Sequence, residues 1–174
     1  STITVPVTVA AAATTGVRAL TVTNPDAGTS SLASGLTLTA APTISTVTPS
    51  SRGQGAVTQN LVVAGTGFQS SAAVVFSGTG VTVNSVTVSS ATSLTVNVSI
   101  DIAAATGARS LTITNTDKGA VTLATGLTIT AAPTITTLSP TSFGRGAAAQ
   151  TLTVNGTGFV AGATVSMSAT GVTF

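Results

Sequence analysis

The stretch Pro42–Phe68, PTISTVTPSSRGQGAVTQNLVVAGTGF, decides the architecture because it recurs at Pro133–Phe159 as PTITTLSPTSFGRGAAAQTLTVNGTGF. Shifting the whole chain by 91 residues aligns 83 residue pairs without a gap, and 45 of these pairs are identical. A fixed period of this length is typical of proteins built from repeated structural units. The chain is therefore interpreted as an array of one repeated unit.

The period divides the 174 residues into three parts. Residues 42–132, the central unit, form the only complete repeat. Residues 1–41, the N-terminal segment, correspond to its second part, and residues 133–174, the C-terminal segment, correspond to its first part. We expect one complete domain flanked by two half-domains. The chain is then either an excerpt of a longer array or a subunit whose two ends complete each other between molecules.

The composition argues against catalysis. Only 5% of the residues are charged, and the chain contains no Cys, His, Glu, Tyr or Trp. Nucleophile–base pairs, carboxylate pairs and transition-metal sites draw mainly on residue types that are missing here. We therefore expect no enzyme activity, no catalytic residue, no metal site and no cofactor.

Charge and hydropathy also bear on partners and location. The five cations are scattered along the chain, whereas nucleic-acid binding needs a clustered basic surface, so no nucleic-acid partner is expected. No apolar run approaches the roughly 18 residues of a membrane span, and none is expected. A chain dominated by Thr, Ser, Ala, Gly and Val resembles secreted bacterial surface proteins, which predicts an extracellular or cell-surface location.

Alternating apolar residues predict the strands. Residues 2–9, TITVPVTV, and their counterparts 93–100, SLTVNVSI, alternate with a period of two, as half-buried strands do. Thr43–Thr48 lies between two prolines, which predicts an edge strand, and Ser50–Gly55 is interpreted as a glycine-rich turn. About seven short strands per unit, with turn signals every 8–12 residues, predict an all-β, two-sheet antiparallel sandwich with little helix.

The repeated motifs resemble a known family. Pro42-x-Ile44-x-x-Val47-x-Pro49 is followed by Gly65-Thr-Gly67-Phe68 and by Leu111-Thr-Ile-Thr-Asn115. With these motifs the unit resembles the immunoglobulin-like IPT/TIG family, which implies tandem Ig-like β-sandwiches. In that strand order the N-terminal segment carries strands E, F and G, and the C-terminal segment carries A, B and C. Because B pairs with E and C pairs with F, each half alone would expose apolar faces that a neighbouring copy covers.

Two phenylalanines occupy the same position of the repeat. Phe68 and Phe159 are each expected to plug one end of a sandwich, with Gly65 and Gly67 allowing the backbone to turn. The alternative is that the rings are exposed platforms for a sugar. Gly65-x-Gly67 is not expected to bind phosphate, because no helix follows it.

Two polar turns and two sequons are the remaining candidate sites. The turns resemble the start of a calcium loop but lack enough oxygen ligands, so we favour hairpin turns in which Asn and Asp bond their own backbone and Gly takes a positive φ; they are Asn24-x-Asp26-x-Gly28 and Asn115-x-Asp117-x-Gly119. The sequons are interpreted as chance, since Pro6 and Ala64 replace their asparagines in the other copy; they are Asn97-Val-Ser99 and Asn155-Gly-Thr157.

These observations favour a structural role. We expect a repeat unit of an extracellular bacterial fibre or giant surface array, which polymerises head-to-tail by completing half-domains between copies. Its expected partners are therefore other copies of itself. Two alternatives stay open: a carbohydrate- or receptor-binding adhesin segment, with glycans as partners, and spacer domains of a large secreted enzyme.

Overall fold

The structure is a computed structural model that describes residues 1–168 and 171–173. Every regular secondary-structure element within these residues is a β-strand. The expectation of an all-β chain is confirmed for these residues. The strands, in chain order, are β1 (Gly16–Thr23), β2 (Thr29–Leu38), β3 (Thr43–Thr48), β4 (Ser51–Gly53), β5 (Gln59–Thr66), β6 (Ala73–Phe76), β7 (Val81–Ser90), β8 (Ser93–Ile100), β9 (Gly107–Thr114), β10 (Ala120–Thr130), β11 (Thr134–Ser139) and β12 (Thr153–Thr157).

The central unit contains two four-stranded sheets. One has the order β3-β5-β8-β7 and is antiparallel throughout, and the other has the order β4-β10-β9-β6. In the second sheet only the pair β4–β10 is parallel. The pairings expected of B with E and of C with F are observed as β5–β8 and β6–β9. The edge position predicted for Thr43–Thr48 is confirmed, because β3 lies at the end of its sheet.

The two sheets share one hydrophobic core. Alternate residues of β8 point inward and are at most 2% exposed, as the period of two predicts; they are Leu94, Val96, Val98 and Ile100. The other sheet contributes inward-facing residues with the same burial, among them Leu111, Ile113, Leu127 and Ile129. Full burial of such a side chain is worth about 1.5–3 kcal/mol, so this core is the main source of the unit's stability.

The stretch Ser50–Gly55 differs from its interpretation as a turn. Its residues Ser51–Gly53 form β4, which pairs in parallel with the last three residues of β10. Because Pro49 ends β3 at Thr48, the chain leaves the first sheet there and its next residues join the edge of the second sheet. The central unit therefore has eight strands, one more than expected.

The prediction of a strand at residues 2–9 is wrong for this chain. These residues belong to no strand and are exposed along their whole length. Their counterpart, β8, lies between β5 and β7 and so has a hydrogen-bonding partner on each side. The pattern is the same in both copies, but the partner strands are present only in the central unit. A strand needs such partners to satisfy its main-chain groups.

The terminal segments each keep one antiparallel strand pair of the repeat. β1 pairs with β2 and β11 pairs with β12, and within the described residues these form two separate two-stranded sheets. Their registers copy those of the central unit: Leu20 lies opposite Leu32 as Leu111 lies opposite Leu123. The register shift between Ile44 and Thr46 also recurs at the 91-residue offset, between Ile135 and Thr137. The two strand pairs are therefore preformed pieces of the same architecture.

Candidate assembly interface

The N-terminal segment exposes the apolar face that the central unit buries. Val5 is 67% exposed, whereas its counterpart Val96 is fully buried. The same contrast holds on the β1–β2 hairpin, where Leu20 is 58% exposed and its counterpart Leu111 is buried. The same contrast holds for Ile3, Val7, Val9, Val22 and Leu36, whereas the counterpart of the exposed Leu32 is the half-buried Leu123. Large sets of exposed apolar residues are typical of binding surfaces.

The C-terminal segment forms an open groove whose lining includes apolar side chains. A cavity of about 1010 Å³ lies within it and is lined by many residues, among them Leu152, Val154, Val165 and Met167. Their counterparts in the central unit pack into the core, where β8 also contributes its apolar face; they are Leu61, Val63, Val74 and Phe76. The groove therefore lies where a complete unit holds residues from strands of its second part.

The two phenylalanines differ in exposure. Phe68 is 4% exposed and belongs to the core, which confirms its expected position. Phe159 is 46% exposed, so in this chain it does not plug a sandwich. The local geometry is nevertheless the same, because a Cβ at Gly65 or at Gly156 would overlap a carbonyl oxygen of the paired strand and the phenylalanine ring. The difference in exposure therefore arises outside this loop.

The glycines before Phe68 act in two ways. Gly67 has a φ of +70°, so it allows the turn as expected. Gly65 has no positive φ and is required instead because Thr43 and the Phe68 ring approach its backbone closely. Within the described residues no helix follows this loop.

The two polar turns have the expected aspartate contacts and an unexpected backbone. Asp26 Oδ1 accepts a hydrogen bond from the Gly28 amide at 3.0 Å, and Asp117 accepts one from Gly119 at the same distance. The expectation that the glycines take a positive φ is wrong. The residue before each glycine takes it instead, Ala27 with a φ of 67° and Lys118 with a φ of 71°.

Asn115 is the buried polar residue of the core, at 2% exposure. Its side-chain amide donates to the Gly67 carbonyl at 2.7 Å and accepts from the main-chain amide of Gln69 at 3.2 Å. The expectation that its side chain bonds the backbone of its own turn is therefore wrong. Instead Asn115 satisfies two main-chain groups of a distant loop, which holds the 115–119 turn in place. An asparagine that ends an alternating apolar strand in both copies was the sequence signal for this contact.

Asp117 links the central unit to the segment before it. Its carboxylate accepts hydrogen bonds from the Thr39 hydroxyl and from the Gln69 side-chain amide, both at 2.6 Å. These bonds and that from the Gly119 amide, with Thr39 the largest contributor, hold the pKa of Asp117 below its ordinary value of 3.8. The contact joins two successive repeats, because Thr39 lies in the N-terminal segment.

The two sequon asparagines each donate a hydrogen bond to another side chain of their own unit. Asn97 donates from its side-chain amide to Asn60 at 2.6 Å, and Asn155 donates to Thr137 at 3.0 Å. Residues 1–168 and 171–173 hold no group of three or more His, Cys, Asp or Glu side chains placed to bind a metal ion. Over the same residues, no helix has the length and apolar character needed to cross a membrane.

No protein-family model matches the chain, and no curated protein matches it. The resemblance to the IPT/TIG family therefore stays a prediction that rests on the repeated motifs alone.

Proposed function

We propose that the chain is a structural unit of an extracellular fibre, built from tandem Ig-like sandwiches of the IPT/TIG type. In this proposal residues 1–41 of one copy complete the sandwich that residues 133–174 of a second copy begin. The observation that carries it is the complementarity of the two exposed faces. Each face is apolar at the positions where the central unit is buried, and together they contain most of one complete core.

The central unit specifies the register of the contact. β5 places Leu61 opposite Val96, so Leu152 of one copy lies opposite Val5 of the other. β6 places Val74 opposite Ile113, so Val165 lies opposite Val22. The exposed stretch 2–9 thus becomes a strand by adding to β12. Strand addition of this kind supplies main-chain hydrogen bonds and buries alternate side chains.

The contact is head-to-tail. A surface at one end of the chain binds a different surface at the other end, and such an interface propagates into a filament instead of closing a dimer. The axial step per sandwich is about 40 Å, from strands of six to eight residues at ~3.3 Å each plus turns. The low charge of the chain, 5% of its residues, fits sheets whose faces and edges are covered by neighbours.

A crosslink tests both the contact and its register. The native chain contains no Cys, so a Thr4→Cys/Thr153→Cys variant introduces the only thiols. Their counterparts, Thr95 and Val62, are paired residues of β8 and β5. Paired Cα atoms in antiparallel strands lie about 4.5–5.5 Å apart, which a disulfide spans. The matched control is Thr4→Cys/Thr151→Cys, which shifts one thiol by two residues along the same strand face.

Oxidation at assembling concentration should give a ladder of disulfide-linked oligomers for the first variant and far less for the control. Equal crosslinking of the two variants would contradict the register. A disulfide that closes within one chain would contradict the head-to-tail contact. A chain that remains monomeric by sedimentation velocity at high concentration would refute self-assembly.

A further inference from the structure

The turn Asn24–Gly28 has a specific receiving site at the other end of the chain. We propose that this turn of one copy docks into a cavity of a second copy, where Asn24 pairs with the main chain of Gly158 and Val160. The inference rests on the proposed function and names the polar contact that sets its register.

The docking element is already formed. In the central unit, the Asn115 amide donates to Gly119 O at 2.8 Å and the Lys118 amide donates to Asn115 O at 3.0 Å. The N-terminal turn has the same pair of bonds: the Asn24 amide donates to Gly28 O at 2.8 Å, and the Ala27 amide donates to Asn24 O at 2.9 Å. Asn24 therefore holds its side chain on the same backbone frame as Asn115. The difference is that Asn24 is exposed, and its side chain has no hydrogen bond to the described residues.

The receiving loop is formed as well. Gly67, whose carbonyl accepts from Asn115, corresponds to Gly158, and the two have φ values of 70° and 74°. Gly67 and Gly158 also lie equally close to the proline that begins their repeat. Gln69, whose main-chain amide donates to Asn115, corresponds to Val160. Replacement of the side chain leaves this donor intact, because the bond uses only the main chain.

A cavity lies where the turn would enter. It has a volume of about 510 Å³, and its walls come from the end of the central unit and from the C-terminal segment: Ser51, Arg52, Gly53, Thr130, Ala131, Gly158 and Val160. In the central unit the equivalent place is filled by the 115–119 turn, which touches Ala41, Pro42 and Gly67. The cavity thus has the location and the main-chain partners that the second turn needs.

The charges of the two surfaces are complementary. Asp26 would lie beside Thr130, as Asp117 lies beside Thr39, and would accept a hydrogen bond from its hydroxyl. Arg52 lines the same cavity, so the carboxylate enters a site that carries a positive charge. The Gln69 side chain donates to Asp117 and accepts from the Thr116 hydroxyl and from the Asp117 main-chain amide, and it has no polar counterpart because Val160 replaces it. The contact between copies therefore has three hydrogen bonds fewer than the contact within a copy.

The test compares self-association and folding in the same variants. Asn24→Ala removes the two bonds and leaves a donor and an acceptor of the receiving loop buried without partners. The apparent dissociation constant from sedimentation velocity should rise between about 5-fold and 150-fold, the range for such a loss. The thermal transition of the central unit should not change. Asn24→Asp, which keeps the shape but turns a carboxylate toward the Gly158 carbonyl, should weaken association at least as much at pH 7.

Asn84→Ala is the matched control, because it removes an exposed amide that bonds only to Asn97 and Ser99 on the same sheet. It should leave association unchanged. If the Thr4→Cys/Thr153→Cys crosslink forms but Asn24→Ala associates as the native chain does, this inference is overturned and the proposed function stands. If the native chain does not associate at all, both are overturned.

Discussion

Truncation of the two equivalent phenylalanines should have opposite consequences for folding and assembly. Phe68 is 4% exposed within the core of the central unit, so Phe68→Ala should lower the free energy of unfolding by about 3–5 kcal/mol. For a domain of this size each kcal/mol shifts Tm by about 4–8 °C, so the transition should fall by roughly 12 °C or more.

Phe159→Ala is the matched change. The ring is 46% exposed and lies outside the core, so the transition of the central unit should move by less than about 1 kcal/mol. Assembly should respond instead. Docking buries the remaining half of the ring, which is worth about 1 kcal/mol, and truncation also leaves a cavity. The dissociation constant should therefore rise at least about fivefold.

Urea melts below the assembling concentration and sedimentation velocity above it measure the two effects separately. Equal losses of stability for the two variants would refute the reasoning, because they would place Phe159 in a core within its own chain. A change below about 1 kcal/mol for Phe68→Ala would show that its ring is not a core residue, and a sugar-binding platform would then return as the better explanation.

Further predictions concern the loops and turns. Gly65→Ala should destabilise the central unit by about 1–3 kcal/mol in denaturant melts, because its Cβ would overlap the Thr43 carbonyl, whereas Gly53→Ala, with its nearest atom at 3.8 Å, should change little. The pKa of Asp117 is lowered by folding, so its contribution to stability is present above about pH 4 and is lost as the pH falls through the depressed pKa. The Tm difference between the native chain and Asp117→Asn should accordingly shrink between pH 7 and pH 2, and a constant difference would contradict the role of the carboxylate. Removal of calcium by a chelator should leave Tm unchanged, since the turn at Asp26 is held by its own backbone; a drop in Tm would show that this turn binds the ion.

The sequence predicted the architecture of the complete repeat because the determining signals are local. Alternating residues such as those of β8 define a buried face without reference to the rest of the chain. Residues 2–9 carry the same alternation and form no strand, because pairing depends on neighbours that lie elsewhere. The short strand β4 was missed for a related reason: its three residues have no alternation, and only the parallel edge of β10 makes them a strand.

The polar contacts were the least predictable part. The glycine of each turn was expected to take the positive φ, but Ala27 and Lys118 take it, since the aspartate bonds the following glycine amide and fixes the residue between them. The role of Asn115 depends on a loop 48 residues earlier in the chain. No period or composition reveals such a pair, although its recurrence as Asn24 marks the position as special.

The difference between the two exposed faces gives any polymer of this chain a direction. One tip presents a hairpin and the unpaired residues 2–9, and the opposite tip presents an open groove, so the tips are chemically distinct and each accepts only one kind of addition. A short peptide with the sequence of residues 1–15 would occupy the groove at the filament tip and the grooves of free subunits, so it would prevent addition at both tips. Growth of such a filament would therefore be inhibited by a fragment of its own subunit.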